Sequence, residues 1–423
     1  MISANTILSF LLFRREAILQ IAGSSAARWL GLVFVLSAGF AREYDGEYLV
    51  AEPWHVVLPL AASIVGCVVL TLLVQIVARF RNVQNASSVA MFGAMLNVYW
   101  MMAPMAWLYA IPFERFMDPG WATRSNLTLL GIVSVWRVTL MIRCITVLYG
   151  ASIVAATMPV MVFCLAMGYA ALILIPSPVF LIMGGIRLTE SEDLILGMKM
   201  SLTAAGVLTS PIWGIGYLTL CAVRSPWKWQ LHEEGNRNLG VSRAAWFIGL
   251  ASVFIWAPFL LWTQSEQKLR WSAERMLLSG SIEELCKLTR ENPERHFPPH
   301  WDPPPRLSYG ESLPALIPTS ASILRNQPAD WFWKRYVDKI ERTSSGFPFY
   351  QWLVNSDEKD LVGLIQLLQA PEQFKPLSKS ILPLVRQELK KETLSESRRE
   401  NLLRLEEVCV SQGGELLGHE DSL

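Results

Sequence analysis

Two arginines, Arg137 and Arg143, interrupt the apolar run LTLLGIVSVWRVTLMIRCITVLYG. A guanidinium stays charged and presents a planar fork of donors, so in a low-dielectric setting it needs acceptors. Twelve Leu, Ile and Val residues in that run, at about −0.3 to −0.6 kcal/mol each, favour membrane insertion by about −4 to −7 kcal/mol, against about +2.5 to +3.5 for an Arg at a helix centre. On a helix, Thr128, Thr139, Arg143, Thr146 and Tyr149 share one stripe, while Arg137 and Ser134 lie on another side. In the functional reading, one or both arginines face a cavity or the bundle interior and bind an anion, a lipid headgroup or a substrate carboxylate. In the structural reading they snorkel, or are satisfied by backbone carbonyls and water. No Asp or Glu lies in any of the apolar stretches to neutralise them.

Other chemistry is sparse. Asn97, within MFGAMLNVYWMMAP, is expected as an interhelical polar contact. There is no HExxH, no GxxxxGK[ST] and no CxxC, which removes zinc-protease, P-loop and paired-thiol motifs. Ser152 lacks the glycine pattern of a serine elbow. His55 lies at the end of an apolar stretch, and His296 and His300 are separated by two prolines that forbid a shared helix face. The reading therefore assigns no catalytic residue, no cofactor and no metal.

The elements that must position these residues follow from composition. The chain has 423 residues, 52% hydrophobic and 17% charged, with 37 Lys/Arg against 36 Asp/Glu. A net charge of +1 supplies no basic field for nucleic acid. The charges are uneven: residues 1–264 carry 16 Lys/Arg and 12 Asp/Glu, while the shorter 265–423 carries 21 and 24. Seven apolar stretches, near 24–41, 54–78, 88–111, 127–149, 151–175, 199–222 and 244–263, are long enough to cross a bilayer as helices. Trp54, Trp107, Trp121, Trp229, Trp246 and Trp262 stand at or near their ends. Pro104, Pro159, Pro211 and Pro258, with Pro59, are expected as kinks. The run PSPVFLIMGGIRL, from Pro176, reads as a re-entrant piece.

The expected fold is all-α: an interfacial segment over 1–23, a transmembrane helical bundle of about seven spans over 24–264, and a water-soluble helical domain over 265–423 with a proline-rich linker near 291–308. Basic residues at Arg14, Arg15, Arg28, Arg79, Arg81, Arg224, Lys228, Arg237 and Arg243 place the N-terminus and the loop before the last span in the cytoplasm of a plasma or inner membrane. The acidic loop AREYDGEYLVAEPWH then lies outside, and seven spans put the C-terminal domain there too. In that domain, Ser281 with Glu284 and Thr393 with Glu396 match capping boxes, and Gly280 suits a helix stop. Apolar residues recur at three and four: Leu361, Leu364, Ile365 and Leu368; Ile381, Leu382, Val385 and Leu389; Leu402, Leu405 and Val408. Helices are expected near 328–343, 357–370, 377–392 and 395–410. The function expected is a non-enzymatic membrane scaffold or assembly component that binds the bilayer and a protein partner through 265–423. The alternative is a transporter or permease that uses the intramembrane arginines.

Overall fold

The computed structural model describes residues 1–80, 87–174, 189–223, 227–231, 240–299, 301, 303, 316–343, 350, 353–369 and 375–412. Among them the regular secondary structure is helical, apart from one bridge between Ile2 and Val241. The chain divides into two compact units, Met1–Ile175 with Gly197–Gln267, and Pro176–Leu196 with Lys268–Leu423.

The N-terminal unit begins with α1 (Ala4–Leu11), α2 (Arg15–Ala22) and α3 (Ser25–Glu43), followed by α4 (Trp54–Phe80) and α5 (Ser88–Trp100). A 3-10 segment, Ala103–Ala110, leads to α6 (Pro119–Tyr149), α7 (Ile153–Leu174), α8 (Glu190–Ala222), α9 (Arg243–Phe254) and α10 (Trp256–Ser279). Among the described residues, six helical segments are long and apolar enough to cross a membrane: Trp54–Phe80, Ser88–Arg115, Pro119–Tyr149, Ile153–Ala171, Glu190–Ala222 and Arg243–Ser279. A seventh exists only if α2 and α3, bent by 97°, count as one. The expected first span, 24–41, is thus the exception.

α3 carries Arg28, Arg42 and Glu43 and is largely enclosed by protein. α3 packs against the 3-10 segment, α4, α5 and α9, and buries Ala27, Leu30, Phe34, Val35, Ser37, Ala38 and Ala41. At Gly39 the approach is so close that a Cβ would stand 2.5 Å from the carbonyl oxygen of Val56. The N-terminal segment joins this core as well, with Ile2, Phe10, Ile18 and Ile21 fully buried.

The prolines act locally. Pro104 opens the 3-10 segment, so the third stretch is not one α-helix. Pro159 and Pro211 lie within α7 and α8, as Pro59 does within α4. Pro258 cannot donate to the carbonyl of Phe254, where α9 ends. The segment 175–188, which holds PSPVFLIMGGIRL, lies outside the described residues, as do His232, Glu233, Glu234 and His300.

The C-terminal unit contains α11 (Ile282–Glu291), α12 (Leu316–Arg325), α13 (Asp330–Thr343), α14 (Glu358–Gln369), α15 (Lys375–Leu389) and α16 (Glu396–Ser411). α12 packs on α11, α13 and α14, while α16 packs on α14 and α15. The periodic residues form its core: Leu361, Leu364, Leu368, Ile381, Val385, Leu402 and Leu405 are all fully buried.

Three local expectations change. The Ser281 side chain bonds the Ser279 hydroxyl at 3.0 Å and makes no cap, because Gly280 (φ 74°) turns the chain immediately before it. α16 is capped by Ser395, whose hydroxyl accepts from Arg398 N at 3.2 Å, two residues after the expected Thr393. Phe297 and Trp301, in the expected linker, stack at 4.9 Å and are 3% and 6% exposed beside Trp331 and Phe332. That part of the linker is packed because four aromatic rings gain more from mutual burial than from water.

Candidate functional site

The functional candidates are polar groups inside the N-terminal unit. Ser87 caps α5 by accepting from Ala90 N at 3.1 Å, and three turns on the helix carries Asn97, 3% exposed. Its Nδ2 donates to the carbonyls of Ala22 at 3.0 Å and Ser24 at 2.9 Å, with Ile21 at 3.4 Å. Its Oδ1 accepts from Arg28 Nε at 3.2 Å. Those carbonyls flank the bend between α2 and α3; Ile21 O and Ser24 O also accept from Ser24 N and Ala27 N, both at 3.2 Å, so Asn97 adds a donor to these two and supplies one to Ala22 O. Gly93 makes room, since a Cβ there would lie 2.8 Å from the Arg28 guanidinium.

The two arginines have different surroundings. Arg143 Nε donates to the Phe13 carbonyl at 3.4 Å, and Trp136 Nε1 donates to that of Leu11 at 3.0 Å. Both therefore hold the C-terminal turn of α1. Arg137 stands over the Tyr99 ring, 5.9 Å from its centre, a cation–π arrangement. Arg137, Arg143 and Asn97 thus have separate partners among the described residues. A hollow of about 570 Å³ on α6 is lined by Phe13, Thr128, Gly131, Ile132, Val135, Trp136 and Thr139, and neither arginine lines it.

A second polar cluster gathers after α3. Arg115 bonds Glu266 through both guanidinium nitrogens, at 3.2 and 2.6 Å, with the two side chains 11% and 12% exposed. Trp262 lies beneath the same guanidinium at 4.3 Å. Asn126 Nδ2 donates to Glu114 at 2.5 Å. The Tyr44 hydroxyl donates to Ala110 O at 2.9 Å, while its carbonyl accepts from Thr263 at 2.6 Å and Gln264 at 3.1 Å. Gln267 donates to the carbonyl of Asp45. Burial, then the Glu114 carboxylate, pushes the Asp45 carboxyl up to about 6, although its own backbone amide and Arg115 pull the other way. The Asp45 carboxyl therefore takes up a proton at about pH 6, above the ordinary carboxylate range. Sequence reasoning missed it because Arg115 and Glu266 are 151 residues apart and each stands outside an apolar stretch.

No family model matches the chain, and neither does any curated protein or solved structure. The site's chemistry therefore rests on its own geometry. The thiols do not add to it: all six cysteines are free, and burial raises Cys286 and pushes Cys409 up to about 12, which keeps them protonated and unreactive. Among the described residues, one group of possible metal donors comes together, Glu43, Glu47 and His55.

Proposed function

We propose that this chain is an integral membrane protein whose N-terminal unit lies in a bilayer and whose C-terminal helical unit is a binding platform for a protein partner. One observation carries the membrane part. In α8, no residue of the most apolar 18-residue window is buried by the protein itself. Leu202, Val207, Leu208, Ile212, Ile215 and Leu218 are 55–76% exposed. Moving each such side chain from water to an apolar phase gains about 1.5–3 kcal/mol, so lipid is the solvent that suits this surface. The internal polar contacts agree, since Asn97, Arg143 and Trp136 serve backbone carbonyls that hydrocarbon cannot.

The platform reading rests on a hollow of about 440 Å³ in the C-terminal unit, lined by Arg325, Glu358, Lys359, Val362, Gly363, Gln366 and Asn401. A lining that combines both charge signs with the exposed Val362 suits a protein segment.

Carbonate extraction of membranes tests the first part: the full chain stays in the pellet, and recovery as a folded, detergent-free soluble protein would end the proposal. Tags at both termini then count spans, because opposite sides mean seven and the same side means six. A photo-crosslinker at Val362 tests the platform. It should give a discrete protein adduct that a crosslinker at the exposed Lys287 does not, and equal labelling from both positions argues against it.

A further inference from the structure

Glu43 is the last residue of α3, and His55 is the second residue of α4. Between them the chain makes a tight return. Tyr44 N and Glu47 N continue the helical pattern, donating to the carbonyls of Phe40 at 2.9 Å and Glu43 at 3.2 Å, so Glu47 stands one turn beyond Glu43. His55 N then donates to Glu52 O at 3.3 Å as α4 begins. The close passage of Gly39 against the Val56 carbonyl brings the end of α3 beside the start of α4. As a result, one ligand atom from each of Glu43, Glu47 and His55 lies within 4.8 Å of the others, and all three residues are half-buried.

An imidazole with two carboxylates is a donor set for borderline divalent cations such as Zn²⁺ and Co²⁺, whereas Ca²⁺ and Mg²⁺ favour shells made of oxygen alone. We propose that Glu43, Glu47 and His55 bind one divalent transition cation, Zn²⁺ foremost, which staples the turn between α3 and α4.

Independent features of the turn support this. The backbone that presents the donors is already held: Gln264 donates to the carbonyls of Tyr44 and Glu47, at 3.1 and 2.9 Å, and accepts from Leu49 N at 2.8 Å. Charge favours a cation as well, since residues 42–55 contain Glu43, Asp45, Glu47 and Glu52 against Arg42. The nearby Arg115 is already paired with Glu266, and Arg42, which touches Glu43 at 3.2 Å, has a side chain 67% exposed. Glu52 adds a further carboxylate 3.8 Å from His55 Nε2. Bonds of about 2.0–2.2 Å to Zn²⁺ require the donors to draw together slightly. Three protein ligands leave room for water on the ion. The sequence gives no contiguous signal for this, because the spacing Glu43, Glu47, His55 closes only across the turn.

The test uses the full chain in detergent micelles, stripped with a chelator and then titrated with Zn²⁺ by calorimetry and with Co²⁺ by visible absorption. One equivalent per chain is expected, with affinity falling about 10-fold or more in H55A and in E47Q, and unchanged in H296A and C409S. The isosteric E47Q should melt at the wild-type temperature without metal and lose the metal-induced rise. The proposal is overturned by a chain that melts normally but takes up no Zn²⁺ or Co²⁺, by binding that survives in H55A/E47Q, or by uptake of Mg²⁺ or Ca²⁺ in preference to Zn²⁺.

Discussion

α8 in the N-terminal unit and α14 in the C-terminal unit are built from the same residue types and use them in opposite ways. In α14, Leu361, Leu364 and Leu368 are fully buried, while Glu358, Lys359 and Asp360 face outward. In α8, Leu208 and Leu218 are 76% and 67% exposed. Buried polar groups occur in both units, Thr289 and Ser356 among them in the C-terminal one. In the N-terminal unit, Asn97 and Ser37 are buried and bonded to backbone, Ser37 donating to Ser252 O at 2.6 Å. In the C-terminal unit, ion pairs such as Arg386 with Glu406, at 2.6 Å, lie at the surface. A helix does not carry an intrinsic inside; the solvent it was selected for decides which residues it turns outward.

The largest test exchanges a charge between the two. Leu364→Arg puts an unpaired guanidinium in a dry core, so the C-terminal unit should lose about 4 kcal/mol or more, read as loss of its protease resistance within the full chain. Leu208→Arg removes no internal contact and would be nearly neutral in water. Near the middle of a lipid-facing helix it should cost about 2.5–3.5 kcal/mol of insertion, read as a smaller carbonate-resistant fraction. Normal insertion of Leu208→Arg would erase the contrast.

Legibility in the sequence follows the same divide. Period and length are properties of one segment, so the core of α14, α15 and α16 could be read from Leu361 to Val408, and most long apolar helices from composition. What depends on two distant segments could not. The bend at α2–α3 is bonded by Asn97 from α5, and the Arg115–Glu266 pair joins residues on either side of α6, α7 and α8. Capping failed at one-residue resolution: Ser281 is in the right place, yet the φ of 74° at Gly280 aims the chain so that its hydroxyl finds Ser279. Of the three polar residues singled out by type, Asn97 and Arg143 are joined to carbonyls of the first 24 residues, a segment whose packing nothing in its own pattern announced.

Asn97→Leu sharpens the contrast at intermediate size. The substitution keeps the number and branching of side-chain heavy atoms and adds apolar surface, which the buried core of a soluble helix would tolerate well. Here it leaves the Ala22 carbonyl without its side-chain donor and Arg28 without its side-chain acceptor. A buried group left unsatisfied costs about 1–3 kcal/mol, so thermal unfolding in micelles should occur at clearly lower temperature. An unchanged melting temperature would mean that water reaches the bend.

The smallest effect is expected at Phe13, which follows α1 with φ 65°, in the region where glycine is usual. Phe13 N donates to Phe10 O and Arg14 N to Ser9 O, both at 2.9 Å, the paired closing bonds of a helix end that normally recruits glycine. A non-glycine residue pays about 1–2 kcal/mol for that conformation. The Phe13 ring stacks on Trp136 with centroids 5.9 Å apart, an interaction of about 0.5–1.5 kcal/mol. Phe13→Gly removes both terms, and stability should move by less than about 1 kcal/mol while Arg143 keeps its carbonyl. A large loss would show that the ring is a structural anchor against α6. A large gain would show that the left-handed phenylalanine is kept for something other than stability.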